Sequence, residues 1–226
     1  MVAGVAGEPT AAQQKPDTQM GGFMLTGLVG GAANTDLQRV AVRGAAGPTP
    51  VRRVTADTSP VVAGAVGYWP SRHWGILVHG SFAPTQLEVR GQGGNGLRDA
   101  PFAQSAAWLW TTDAAFMIRA PVTPSGRIVP YLLVGGGVIG LRADRAEPVA
   151  EAAGEDLESH SIEPTGLLGL GAHVPLRRRS LALTFELTDH VFMTPIRDPV
   201  IGTDPAEQVG VSHHIRLLTG ITIRLR

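Results

Sequence analysis

HHIRLLTGITIRLR, residues 213–226, puts Ile215, Leu217, Ile221, Ile223 and Leu225 on one parity and Arg216, Gly220, Thr222, Arg224 and Arg226 on the other. Successive side chains of a strand point to opposite faces, so this is a strand with one apolar and one polar side. SLALTFELTDHVF, residues 180–192, repeats the pattern, with Leu181, Leu183, Phe185, Leu187 and Val191 against Ala182, Thr184, Glu186, Thr188 and His190. The same test marks strands at roughly 22–35, 60–70, 73–89, 104–120, 127–142 and 161–175. Most exceed the five or six residues usual in globular sheets, and a tilted strand needs about 9 to 11 to cross a bilayer.

The connections alternate in length. Short turns at Pro70 to His73, Pro121 to Gly126 and Leu176 to Arg179 alternate with long segments, as short periplasmic turns and longer extracellular loops do in outer-membrane barrels. Both termini then lie on the periplasmic side. The expected fold is an all-β, eight-stranded, antiparallel up-and-down transmembrane barrel over 21–226, preceded by a flexible arm at 1–20. Trp69, Trp74, Phe116 and Tyr131 fall near the short-turn end, and Phe82, Trp108 and Phe192 near the long-loop end, where two interfacial girdles are expected.

Composition narrows the function classes. Charged residues are 17% of the 226, with 19 basic against 19 acidic, so no nucleic-acid footprint is present. No cysteine is present, which removes disulfides, thiolate metal sites and cysteine nucleophiles. The apolar run from Tyr131 to Leu141 is too short for a spanning helix of about 20 residues. MVAGVAGEPTAAQQKPDTQM, residues 1–20, has no basic start and apolar core of a secretory signal, so the chain reads as a mature form from which the signal has been removed.

RIVPYLLVGGGVIGLRAD (127–144), TGLLGLGAHVPLRRRSLALTFELTDHVF (165–192) and the terminal HHIRLLTGITIRLR resemble the small outer-membrane β-barrel proteins of Gram-negative bacteria, the outer membrane protein β-barrel domain group. The resemblance covers roughly 21–226 and implies a porin-like barrel and an outer-membrane location, but no activity. Members of that group usually end on an aromatic residue that assists assembly, whereas this chain ends on Arg226.

The polar parity carries Asp113, Arg119, Glu163, His173, Glu186, Arg216 and Arg224, which are expected to face the lumen. An eight-stranded barrel is just wide enough for side chains to fill, so these charges are expected to pair as a plug rather than line a channel. Asp189, His190, His213 and His214 flank the last long loop and form a candidate rim site, in which pairing across the loop would bring His190 close to His213. An Asp beside a His is the raw material of an acid/base pair or a surface metal site, but solvated rim histidines are the simpler reading. No metal or other cofactor is expected.

Arg39, Arg43, Arg52 and Arg53 of the first long loop could meet lipopolysaccharide phosphates, and Glu147, Glu151, Glu155, Asp156 and Glu158 form an acidic loop patch. GLVGGAANT and LLVGGGVIG lie inside strands and lack the helix and GK[ST] element of a phosphate loop. The leading expectation is a non-enzymatic structural or interaction protein acting through its loops. Its partners would be outer-membrane lipid, lipopolysaccharide and another envelope protein. Alternatives are a small outer-membrane pore or transporter, a rim-site enzyme, and a soluble lipocalin-like barrel with its apolar parity turned inward.

Overall fold

The computed structural model describes residues 22–41, 51–71, 73–91, 103–119, 128–144, 160–176, 180–193 and 211–225. Their strands are β1 (Gly22–Asn34), β2 (Asp36–Ala41), β3 (Val51–Ala56), β4 (Ser59–Trp69), β5 (Trp74–Gly91), β6 (Ala103–Arg119), β7 (Val129–Ala143), β8 (His160–Pro175), β9 (Leu181–Met193) and β10 (Val211–Leu225). Apart from β2 and β3, each strand pairs antiparallel with its sequence neighbours, and β1 pairs with β10 as well as β4. The remaining eight therefore close into an up-and-down barrel without an edge. The expected arm at 1–20 lies outside the described residues.

Seven of the eight barrel strands span 13 to 18 residues, and β4 has 11. β2 and β3 are an addition to the sequence reading, which made the first long connection a loop. They form a hairpin whose β3 continues the wall by pairing with the upper end of β5, from Arg52 opposite Gly91 to Ala56 opposite Leu87. Alternation is hard to see in these two short segments because each has only six residues.

The alternation expected of β9 and β10 is present. Leu183, Phe185, Leu187, Ile215, Leu217, Ile221 and Ile223 face outward and are exposed, whereas Thr184, Glu186, Thr188, His190, His214, Arg216 and Thr222 are buried inside. Outward aliphatic and aromatic side chains recur on every barrel strand, including Phe23, Val62, Val78, Phe116, Val134 and Leu168. Water would leave that surface as an apolar belt far beyond the few hundred Å² that soluble proteins tolerate. Lipid is the solvent that satisfies it, and a closed barrel is the sheet form that can enter lipid, because every ladder group is paired. This overturns the soluble lipocalin-like alternative.

The interior is not uniformly polar. Leu28, Leu87, Leu109, Ile139, Leu141, Phe192 and Leu218 belong to a packed apolar cluster that runs from mid-strand at Leu28 and Leu218 to the loop side at Leu87, Leu141 and Phe192. Met24, Trp69, Leu77, Met117, Tyr131 and Leu133 belong to another toward the turns. Polar and charged side chains occupy the middle. Trp69, Tyr131 and Phe192 are therefore interior residues, which corrects their expected place in the girdles. The outward aromatics include Trp74, Phe116 and Phe185, the Phe23–Tyr68 pair at 4.9 Å between centroids, and the stacked Phe82–Trp108 pair at 5.0 Å.

Candidate functional site

The polar layer at mid-height is organised around Arg216. β10 places it opposite Thr188 of β9, and its side chain is fully buried. Its Nε donates to Thr188 Oγ1 at 3.1 Å, and Nη1 donates to Ser81 Oγ at 2.6 Å and Thr111 Oγ1 at 3.0 Å. Ser81 and Thr111 are register partners on β5 and β6, so the guanidinium reaches across the lumen to the opposite wall.

Beside it, His190 Nε2 lies 2.8 Å from Asp113 Oδ2, and His79 Nδ1 lies 3.8 Å from the same oxygen. Arg216 Nη2 lies 3.1 Å from His190 Nε2 and 3.3 Å from His79 Nδ1. A ring nitrogen that donates to a carboxylate cannot also accept from a guanidinium. The consistent assignment has His190 Nε2–H donating to Asp113 while Arg216 Nη2 donates to His79 Nδ1. Arg216 is thus held by His79 and Asp113 by His190, one cation and one anion side by side in the same buried layer, each with an imidazole partner, and buried charges persist in this paired state. Gly137 stands opposite Asp113 on β7, and a Cβ there would lie 2.8 Å from Asp113 Oδ1 and collide with the Thr112 carbonyl. Glycine makes room for the carboxylate. His214 Nδ1 donates to Asn34 Oδ1 at 2.6 Å just above the layer, its ring 5.9 Å from that of His190.

A separate polar chain lies closer to the turns. Tyr131 OH donates to Glu186 Oε1 at 2.6 Å, and the Tyr131 and His173 rings sit 4.7 Å apart. His173 Nδ1 bonds to Thr184 Oγ1 at 3.0 Å, Thr184 to Thr222 at 2.6 Å, and Thr222 to Thr26 at 2.8 Å. Arg119 stacks 3.7 Å over the Trp69 ring, a cation–π contact inside the barrel. Ser161 Oγ donates to Glu163 Oε1 at 3.3 Å, and Arg224 is half-buried on the inward parity of β10. The seven residues expected in one lumen network therefore divide: Asp113 and Arg216 share the mid-height cluster, His173 and Glu186 belong to the second chain with Arg119 and Arg224 within electrostatic reach of His173, and Glu163 bonds to Ser161.

The expected rim group separates as well. Neighbours in a strand face opposite ways, so His190 and His214 are buried in the lumen, while Asp189 and His213 face outward with side chains 32% and 40% exposed. His190 is the register partner of His214, and His213 instead contacts Asp189, Nδ1 to Oδ2, at 2.8 Å. Four residues in one site is thus corrected to an outer-wall pair and two interior rings. Among the described residues no three His, Asp or Glu side chains are grouped as a metal site needs. Arg43 and the acidic patch at 147–158 lie outside the described residues, and Arg39, Arg52 and Arg53 lie on the β2–β3 hairpin. His79, Ser81, Thr111 and Thr188 were missed as cluster members. Parity alone put His79 and Ser81 on one face of β5, but only the barrel's closure brings them to Arg216.

A closed barrel with an apolar outer wall, a side-chain-filled interior and short turns on one rim defines the class: a small transmembrane β-barrel of the bacterial outer membrane. No protein-family model and no curated protein matches the sequence. Among solved structures, the chain is similar to Neisserial surface protein A, at 12% identity and a TM-score of 0.51, covering 90% of this chain and 97% of that one. It is also similar to the outer membrane protein AlkL in lipid bilayers, at 13% identity and a TM-score of 0.51, covering 100% and 97%. OprG from Pseudomonas aeruginosa aligns at 15% identity and a TM-score of 0.48, over 91% and 96%.

Proposed function

We propose that this protein is a non-conducting barrel that presents its loops at the cell surface as an interaction scaffold. The observation that carries this reading is the Arg216 cluster, which ties β10 to β9 through Thr188 and crosses the lumen in four bonds, Arg216 to Ser81, Thr111 and His79 and His190 to Asp113. Leu87, Leu109 and Phe192, loopward of the cluster's residues on β5, β6 and β9, pack together with Leu141 of β7 as a second closure. A path for solutes would have to break four charge-assisted hydrogen bonds and displace that apolar cluster. The partners suited to such a scaffold are lipopolysaccharide and another envelope protein. The reading assigns no catalytic step to Asp189 and His213.

Reconstitution of the full chain into planar bilayers tests the closure. No stable conductance steps are expected, and reproducible large steps from the unmodified protein would replace this reading with a pore. Cell-surface labelling of cysteines introduced at 92–102 and 145–159 tests loop presentation, and labelling only after permeabilisation would reverse the assigned orientation.

A further inference from the structure

The lipid-facing wall carries a groove of about 900 Å³ on the loop-side half of β1. Val29 and Gly31 of β1, Pro60 of β4, Phe185 of β9, and Ile215 and Leu217 of β10 line it. Its origin is local. Gly31 faces outward without a side chain, and its register partner Pro60 has no N–H to donate to the ladder. β4 begins only one residue earlier, and the chain before it leans onto β5 rather than β1. The wall is therefore thin where β1, β4 and β10 meet.

The groove continues the lipid interface that the rest of the wall defines, and its volume falls within the ~300–1,000 Å³ usual for ligand pockets. Left empty, its apolar lining would lose contacts on one side, and water gains little against carbon. Immediately toward the loops on the same wall, Asp189 is the partner of Ile215, and His213 lies two residues along β10 from it. Asp189 Oδ1 is buried without a hydrogen-bond partner, and the half-exposed His213 ring adds a polar contact at that level. A molecule with a hydrocarbon tail and a polar head suits this order of surfaces, and the loop-side leaflet of an outer membrane consists of such a glycolipid.

We propose that the groove seats one acyl chain of lipopolysaccharide, with Asp189 and His213 at the level of its headgroup. The site lies on the outside of the wall and is independent of whether the lumen conducts.

The test uses the full chain folded into phosphatidylcholine vesicles containing lipid A with a photoreactive diazirine on an acyl chain, followed by peptide mapping. Labelling concentrated on 22–35 and 211–219 is expected. Gly31→Leu should reduce it at least fivefold, because a Cβ at Gly31 meets nothing nearer than 3.8 Å and the new side chain fills the groove. Gly27→Leu, on the same face with nothing within 4 Å of its Cβ, should label as the parent does. Thr219→Phe, which fills the groove from β10, should reproduce the loss and serves if Gly31→Leu fails to fold. Even labelling around the barrel, or labelling unaffected by the filling variants, would overturn the proposal. Stronger labelling by diazirine phosphatidylcholine in competition, or crosslinking to a second copy through the groove, would do so too.

Discussion

Replacing Arg216 with Met keeps an unbranched apolar stem and removes the guanidinium with its charge. Summing the hydrogen bonds that Arg216 makes would overstate the cost, because Ser81 Oγ and Thr111 Oγ1 already lie 2.8 Å apart and can satisfy each other once the guanidinium is gone. What cannot be repaired locally is Asp113, whose carboxylate remains buried beside His79 and His190 without a permanent cation in the cluster. Removing one member of a buried charge pair typically costs about 3–5 kcal/mol, and that range is the expected loss for Arg216→Met. Asp113→Asn removes the orphaned charge in turn, so the double variant should recover about 1–3 kcal/mol relative to the sum of the single losses. Urea titration of protein folded in short-chain phosphatidylcholine vesicles, followed by tryptophan fluorescence, measures all four species of the cycle. A loss below about 1 kcal/mol for Arg216→Met, or additivity within about 0.5 kcal/mol, would refute the reasoning. Either result would mean that water or counter-ions solvate the cluster.

Other perturbations address separate features. Tyr131→Phe leaves Glu186 Oε1 without its 2.6 Å donor and should cost about 1–3 kcal/mol in the same titration, and a neutral effect would mean that another donor replaces the phenol. Gly137→Ala should prevent folding, read as loss of the heat-modifiable band on gels, because its Cβ collides with the Thr112 carbonyl and crowds Asp113. Gly64→Ala, whose Cβ would lie 3.8 Å from the Thr26 carbonyl, should stay within about 0.5 kcal/mol of the parent, and equal behaviour of the two variants would contradict the packing assigned to Gly137. A cycle of Phe82→Ala and Trp108→Ala should give a coupling of about 0.5–1.5 kcal/mol for the stacked outer pair, and no coupling would reduce it to two independent lipid contacts.

The sequence exposed the barrel more fully than it exposed the site because the two depend on different kinds of contact. Strand limits follow from local alternation, and the expected 22–35 and 161–175 differ from β1 and β8 by a single residue at one end. The inward direction of Asp113, Glu186 and Arg216 follows from parity in the same way. Which inward residues meet is set by stagger and closure, neither of which alternation records. Asp113 and His190 are 77 positions apart yet touch, whereas the adjacent His213 and His214 lie on opposite sides of the wall. Trp69 and Tyr131 show the same gap: their height near the turns was legible, but the girdle assignment ignored their parity, which points them inward over Arg119 and Glu186.

The placement of the cluster bears on how the barrel is assembled. Hairpins such as β5–β6 and β9–β10 can form from neighbouring chain segments, and they bring together His79 with Asp113 and Thr188 with Arg216. Neither hairpin alone pairs the charge of Arg216 with that of Asp113, since β7 and β8 separate the hairpins on one side and β1 and β4 on the other. The cross-lumen bonds therefore form when the sheet closes, after most of the ladder is in place. Interactions made that late act chiefly on the unfolding rate. Arg216→Met should accordingly speed unfolding in vesicles while leaving the rate of insertion and folding nearly unchanged. A variant that instead folded slowly and unfolded at the parental rate would place the cluster early, as an organiser of the closing barrel rather than its lock.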